Sequence, residues 1–274
     1  MRRKKSMVTF VATPIGNLGD ISLRALDVLR AADVIFCEDT RHSLKLLNHF
    51  EIKKPLVACH KFNERAAAEK LAALAKEGKN VAVVTDAGTP VISDPGNVLV
   101  NVLREHGIPY TLAPGACAFV AALVLSGFPA DAFAFLGFLR GKKSEKLAFL
   151  KEHAAFRGTL VFYSAPQDVD GDVSLLYEAL GEREACAVRE ITKVHESAEY
   201  FILSEGLKGE KRGEYVLLVR GAQAAENPLN ALSESEHIAH YMRQGMDKKQ
   251  ALKAAAKDRG VPKSELYKFT LQDK

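Results

Sequence analysis

Five ionisable side chains fall within eight residues: Arg189, Glu190, Lys193, His195 and Glu196. Arginine and lysine can hold phosphate or an oxyanion there, and Glu190 or His195 can accept a proton. A solvated edge strand with alternating charges fits the same residues, and both readings stay open. In an extended chain Lys193 and His195 share one face. Three glycine-bearing loops offer ligand contacts of another kind. Thr13-Pro-Ile-Gly-Asn-Leu-Gly-Asp20 carries Gly16 and Gly19, where a ligand or a neighbouring chain can come close to the backbone. It is no G-x-G-x-x-G, so it does not favour a dinucleotide. Thr85 to Gly96 holds Asp86, Gly88, Pro90, Asp94, Pro95 and Gly96. It is long for a strand-to-helix loop, and such loops are functional more often than not. Asp94-Pro95 reads as a helix start. Ala113-Pro-Gly-Ala-Cys-Ala118 opens a helix of small residues whose N–H groups could face a ligand. Cys117 has no neighbouring base and reads as a packing residue. Arg140, Lys142, Lys143 and Lys146 form a basic segment suited to an RNA backbone, with an ordinary solvated loop as the alternative.

These segments need a scaffold, and the apolar pattern supplies one. Strands are expected at Val8–Thr13, Val34–Cys37, Leu56–Cys59, Val81–Thr85 and Tyr110–Leu112. Helices lie between them: one capped by Ser22 with apolar residues at 23, 26 and 29, then Leu44–Phe50, Asn63–Glu77 and Asn97–His106. Alternation of this kind predicts an α/β sheet covered on both faces, with ligands beyond the carboxyl ends of its strands. The second half predicts a helix over Ala116–Ser126, a strand over Ala134–Phe138, an exposed basic loop over Leu139–Lys143 and a helix over Ser144–His153. Beyond these come a strand over Thr159–Tyr163, a helix over 172–180, and strands Ala185–Arg189, Tyr200–Leu203 and Tyr215–Val219. Shorter spacings make this sheet mixed or antiparallel. Residues 221–236 read as a linker. Residues 237–270 read as two or three short helices with breaks at Gly245 and at Gly260-Val261-Pro262.

Charge is distributed unevenly. Residues 1–5 carry +4, residues 237–274 carry +5 (nine basic, four acidic), and the body between carries −5, giving the net +4. An acidic body with basic ends is not a generic polyanion binder; the tail, with Lys248 and Lys249, is a second candidate RNA contact. Cysteines 37, 59, 117 and 186 form no CxxC pair, so neither a structural zinc site nor a disulfide framework is expected. The longest apolar run, Ala116 to Leu125, is half a membrane span. A soluble, cytoplasmic protein without metal is the expectation.

Thr13 to Asp20, Glu38-Asp-Thr-Arg41, Asp86-Ala-Gly-Thr-Pro90, Ile92-Ser-Asp-Pro-Gly96, Phe138-Leu139 and Arg189 to Glu196 together resemble the ribosomal RNA small subunit methyltransferase I subfamily. That subfamily belongs to the tetrapyrrole methylase-like (class III) methyltransferases. The likeness spans roughly residues 7–221, and the tail motifs at 245–251 and 263–267 also resemble it. The resemblance implies two α/β domains, 1–115 and 116–225, with S-adenosylmethionine in the cleft between them, and a linker with a basic helical tail over 226–274. It implies 2′-O-methylation of a ribose in 16S rRNA of the small ribosomal subunit, at the P-site cytidine conventionally numbered 1402. It also implies a homodimer, with no DNA or membrane partner. By matching position, the cofactor would touch Pro14, Gly88, Thr89, Pro90, Val91, Ile92, Gly115, Ala116, Cys117, Tyr163, Ser164 and strand-end residues near Arg189. The chain departs from the subfamily where Ala116-Cys117 replace Pro-Ser, and where Ser164 to Asp168 replace Glu-Ser-Pro-His-Arg. Rival readings are a tetrapyrrole methyltransferase of the same fold, a non-enzymatic RNA-binding assembly factor, and, weakest, an NAD enzyme.

Overall fold

The computed structural model describes residues 7–93, 96–209, 211–223 and 228–267. The chain divides into two compact units, Met1–Ala222 and Gln223–Lys274. The expected helix start at Asp94-Pro95 and the basic residues 2–5 lie outside the described residues.

The first unit opens with a parallel sheet. Strands β1 (Val8–Val11), β2 (Val34–Cys37), β3 (Leu56–Ala58), β4 (Val81–Val84) and β5 (Tyr110–Ala113) pair in the order β3-β2-β4-β1-β5. β1, β2 and β4 are buried at every position, which is why they read as unbroken apolar runs. Helices α1 (Leu23–Ala31) and α2 (Thr40–His49) cover one face through Leu26, Leu29 and Leu47. Helices α3 (Glu64–Lys76) and α4 (Asn97–Glu105) cover the other through Leu71, Leu99 and Leu103. Strand residues alternate between the two cores, Val34 and Phe36 to one, Ile35 and Cys37 to the other.

Local chemistry sets the helix starts. The Ser22 hydroxyl accepts the Ala25 N–H at 3.1 Å and caps α1 as expected. Its buried stripe is Ala25, Leu26 and Leu29; Leu23, in the first turn, is 82 % exposed and not part of the core. α2 begins at Thr40 rather than Leu44, because the Asp39 carboxylate accepts the Arg41 N–H at 2.8 Å. The α4 start is capped from a distance: Glu64 accepts from the N–H groups of Gly96 (2.6 Å) and Val98 (3.2 Å).

The second sheet is mixed, as the short spacings predicted. It comprises β6 (Phe133–Phe138), β7 (Thr159–Ser164), β8 (Glu184–Arg189), β9 (Ser197–Ile202) and β10 (Tyr215–Val219), ordered β6-β7-β10-β8-β9. Only β6 and β7 run parallel. Helix α5 (Ala118–Ser126) packs on one face, and α6 (Lys143–Glu152) and α7 (Val169–Leu180) on the other. The exposed loop expected over 139–143 is shorter than that. Leu139 is buried with the α6 and α7 core, and Lys143 already belongs to α6. The Glu145 carboxylate reaches back to accept the Lys142 N–H at 2.8 Å, and the helix starts early. β10 runs antiparallel to both neighbours, so its first residue, Tyr215, lies level with Ser164 at the end of β7 and Arg189 at the end of β8.

The second unit is helical. Much of the expected linker over 221–236 is structured: residues 228–231 form a 3-10 turn, and α8 (Glu234–Arg243) starts at a Ser233–Glu236 capping box. α9 (Lys248–Arg259) starts at an Asp247–Gln250 box and stops at Gly260, and α10 (Lys263–Tyr267) follows. Ile238, Leu252, Ala255 and Leu266 form its small core. His237 is fully buried there. Its Nδ1 accepts from Arg259 at 3.1 Å, so its Nε2 carries the proton that faces Asp258 at 3.3 Å.

Candidate functional site

The loops after β1 and β4 leave adjacent central strands and are tied together. Thr13 and Gly88 exchange backbone hydrogen bonds of 2.9 and 3.1 Å, and the Thr13 hydroxyl donates to the Thr85 carbonyl at 3.2 Å. Gly88 sits at φ +79°, a conformation that favours glycine. Val91 (φ +77°) and Ser93 (φ +64°) adopt the same region without that freedom. A β-branched residue there is strained, and such strain concentrates at functional sites.

Opposite these loops stand the ends of β6, β7 and β8, the start of β10 and the start of α5. Between the two walls lies a cleft of about 440 Å³, within the ~300–1,000 Å³ of ligand pockets. Of the expected cofactor contacts, Thr89, Ile92, Cys117, Tyr163 and Ser164 line it. Pro14 lines an adjoining cavity instead. Gly88, Pro90, Val91, Gly115 and Ala116 do not line it. The Thr89 hydroxyl donates to the Ala116 carbonyl at 3.0 Å. A Cβ on Gly115 would lie 3.0 Å from that of Ala12, and Val91 packs against the α3–α4 core. Tyr163 is held by Phe135 and Phe138, with ring centroids 4.8 and 5.4 Å away. Burial raises the Cys117 thiol pKa, against a nucleophilic role.

The polar cluster after β8 is not extended. Lys193 N–H donates to Glu190 O at 2.9 Å and Glu196 N–H to Lys193 O at 3.1 Å, with Glu190 at φ +49° and Thr192 at φ +66°. The turn sends Lys193 and His195 apart, which overturns their expected common face. Lys193 reaches inward between two carboxylates, Glu190 at 2.8 Å and Glu214 at 2.9 Å; His195 is exposed. The Lys193 ammonium, helped by the Glu214 N–H, holds the Glu190 carboxyl below its usual range. Burial alone would lower the Lys193 pKa, but the two carboxylates outweigh it and raise the value. Arg189 closes β8 beside Tyr215.

Next to the cleft lies the second cavity, about 360 Å³, lined by Pro14, His42, Lys45, Asp86, Lys193 and Glu214 among others. The turn over 190–193 touches the first loop directly: a Cβ on Gly16 would lie 2.5 Å from Lys193 Cγ and 2.8 Å from Thr192 Oγ1.

The basic segment divides. Arg140 and Lys142 are exposed, and Lys143 pairs with Glu178 at 2.9 Å on the surface. Lys146 does not face out with them. Its side chain is 19 % exposed and pairs at 3.1 Å with Asp172, 6 % exposed. Asp172 also accepts the Ser164 hydroxyl at 2.8 Å. Lys248 and Lys249 are exposed in the first turn of α9. Among the described residues no His, Cys, Asp and Glu group could hold a metal, and no helix is long and apolar enough to cross a membrane.

Sequence reasoning missed Glu214, Tyr215 and Phe138, which also line the cleft, whereas Ile191 is one of the residues near Arg189 that it expected there. A signal for the first two existed. In an antiparallel sheet, residues before one strand sit beside residues after its neighbours.

Residues 7–201 match the model of the tetrapyrrole (corrin/porphyrin) methylases. The chain is 38 % identical to the ribosomal RNA small subunit methyltransferase I of Halalkalibacterium halodurans, covering 99 % of this chain and 97 % of that one. It is 40 % identical to its namesake from Bacillus subtilis, with coverages of 94 % and 91 %. Among solved structures, the uroporphyrin-III C-methyltransferase of Thermus thermophilus complexed with S-adenyl homocysteine superposes with a TM-score of 0.56 at 21 % identity, over 78 % of this chain and 97 % of that one. The chain belongs to the tetrapyrrole methylases, a family of methyltransferases, and within them to the ribosomal RNA small subunit methyltransferase I family.

Proposed function

We propose that the protein methylates the 2′-oxygen of a ribose in 16S rRNA, at the P-site cytidine, with S-adenosylmethionine as donor. The observation that carries this reading is the cleft, where Thr89 and Ile92 of the first-sheet loops meet Cys117, Tyr163 and Ser164 of the second half. Its chemistry suits the donor. Thr89 and Ser164 both spend their hydroxyl protons on protein acceptors, so they offer a ligand lone pairs, which ammonium and hydroxyl groups can use. When bound, the donor supplies an electrophilic methyl on a sulfonium. The chain's part is positioning, which can contribute ~7–11 kcal/mol. Phe138, Tyr163 and Ile191 line the cleft with apolar surface that limits water. Glu190 aims Lys193 at the second cavity, where its ammonium can hold phosphate or steady a developing oxyanion. Arg189 anchors the end of β8, and His195 is available to RNA from outside. Relatives bearing the rRNA name match over the tail as well as the methylase fold, which favours RNA over a tetrapyrrole.

The direct test is mass spectrometry of 16S rRNA after incubating S-adenosylmethionine and purified protein with small subunits from cells lacking this activity. A 2′-O-methylcytidine that depends on the protein is expected. No methyl in rRNA, or methyl transfer to uroporphyrinogen instead, overturns the reading. In calorimetry with S-adenosylmethionine, an absence of binding would favour the non-enzymatic reading.

RNA docking falls to Arg140, Lys142 and Lys143, and to the tail. Lys249, Lys253 and Lys257 recur every four residues along α9 and are all exposed, a like-charge stripe that destabilises a helix unless an anion meets it. Replacing these three by Gln is expected to cut the slope of log K against log salt by about 2, at ~0.7 per phosphate contact. An unchanged slope removes the tail from the interface.

The homodimer is proposed through α5. This helix is apolar on every side, yet Val120, Leu125 and above all Val124 (77 % exposed) face out. A helix apolar all round is normally covered. Tyr200 extends the patch, its hydroxyl bonded to the Ser126 carbonyl at 3.1 Å. Val124→Glu is expected to shift sedimentation equilibrium from dimer to monomer; a wild-type profile places the interface elsewhere.

A further inference from the structure

The two cavities share Ile15, Ala87 and Glu214, and Glu214 is the only ionisable side chain of the three. Among the described residues it is also the only carboxylate lining the first cavity. With the donor in that cavity and the acceptor hydroxyl in the second, the two meet at this boundary. Glu190 and His195, the proton acceptors suggested by the sequence, line neither cavity.

Glu214 is fixed from two sides. Its N–H donates to Glu190 Oε1 at 3.0 Å, and its Oε2 accepts from Lys193 at 2.9 Å. The side chain is nonetheless 81 % exposed, so its position is set while its surface stays open to a substrate. Lys193 links it to Glu190, leaving a carboxylate, an ammonium and a carboxylate in a row. The inner carboxylate orients the lysine, and the lysine orients the outer one.

We propose that Glu214 is the catalytic carboxylate that takes the proton of the acceptor ribose hydroxyl. This rests on the function proposed above and adds the identity of the proton acceptor. As the O–H bond breaks, its proton passes to Glu214 and its electron pair stays on oxygen. Oxygen forms the new bond to carbon, and the carbon–sulfur bond breaks with its electrons on sulfur. Carboxylate and sulfonium become carboxylic acid and thioether, so charge balances, and the acid then loses its proton to water. General-base assistance of this kind is worth about 10²–10⁴-fold.

Glu214→Gln in the full-length protein tests it, with small subunits as acceptor. A kcat drop of about 10²-fold or more is expected, with KM for both substrates, calorimetric affinity for S-adenosylhomocysteine and melting temperature all as in the wild type. Glu214→Asp, which keeps the carboxylate, is expected to be faster than the Gln variant. Near-wild-type turnover in the Gln variant overturns the proposal, as do cofactor affinity or stability falling in step with turnover, or an Asp variant no faster than Gln. A wild-type protein that leaves rRNA unmethylated overturns the proposed function as well, which separates the two failures.

Discussion

Asp172→Ala is expected to lower stability by ~3–5 kcal/mol, the cost of stripping one partner from a buried ion pair. Asp172 is the shared acceptor of three elements: it belongs to α7, takes the Lys146 ammonium of α6, and takes the Ser164 hydroxyl at the end of β7. Without it an ammonium and a hydroxyl remain in a largely dry site. In a unit of this size, about 2–4 °C is lost per kcal/mol, so the melting point should fall by roughly 6–20 °C. Lys146→Met combined with Asp172→Leu should recover most of that, since apolar replacement of a whole buried pair is often neutral or better. A single Ala variant that melts like the wild type would show that water already screens the pair. Because Ser164 lines the cleft, the same variant should also weaken S-adenosylhomocysteine binding in calorimetry.

Gly16→Ala is expected to affect activity more than folding. The new methyl would sit 2.5 Å from Lys193 Cγ, 2.8 Å from Thr192 Oγ1 and 3.1 Å from the Ile191 carbonyl. The lysine stem can swing aside, but the carbonyl is main chain, and Thr192 is held in a left-handed conformation. The first loop and the turn after β8 must therefore separate. Overpacking of this kind costs ~1–3 kcal/mol. Displacing Lys193 and its partner Glu214 by about 1 Å should cost turnover about 10²-fold. Thermal melts and single-turnover methylation measure the two effects; turnover near wild type would mean the contact is dispensable.

The elements were legible where burial is two-sided. Val34–Cys37 and Val81–Val84 have water on neither face, so the sequence itself is apolar throughout. Leu23 misled because helical spacing marks a stripe without saying where the sheet beneath it ends. The turn over 190–196 was hidden because non-glycine residues, Glu190 and Thr192, take the left-handed conformations that reverse the chain. Lys146 looked like part of a basic segment; its partner Asp172 is 26 residues away, and only the packing of α6 on α7 pairs them. The loops that frame the cleft were visible through glycine and proline. Glu214, by contrast, sits before an ordinary-looking strand, and its importance comes from the direction in which β10 runs.

The strand order also governs how the protein comes into being. β7 and β8 do not pair with each other; β10 stands between them, and among the described residues it is the last strand to be made. A chain leaving the ribosome can close its first sheet once β5 has emerged. The second must wait, its halves bridged by nothing, until residues 215–219 arrive. Pairings so distant in sequence are slow to form, and the waiting strands expose apolar edges. The same event that seals the sheet delivers Glu214 and Tyr215 to the cleft. The cleft is thus complete only once β10 has been inserted.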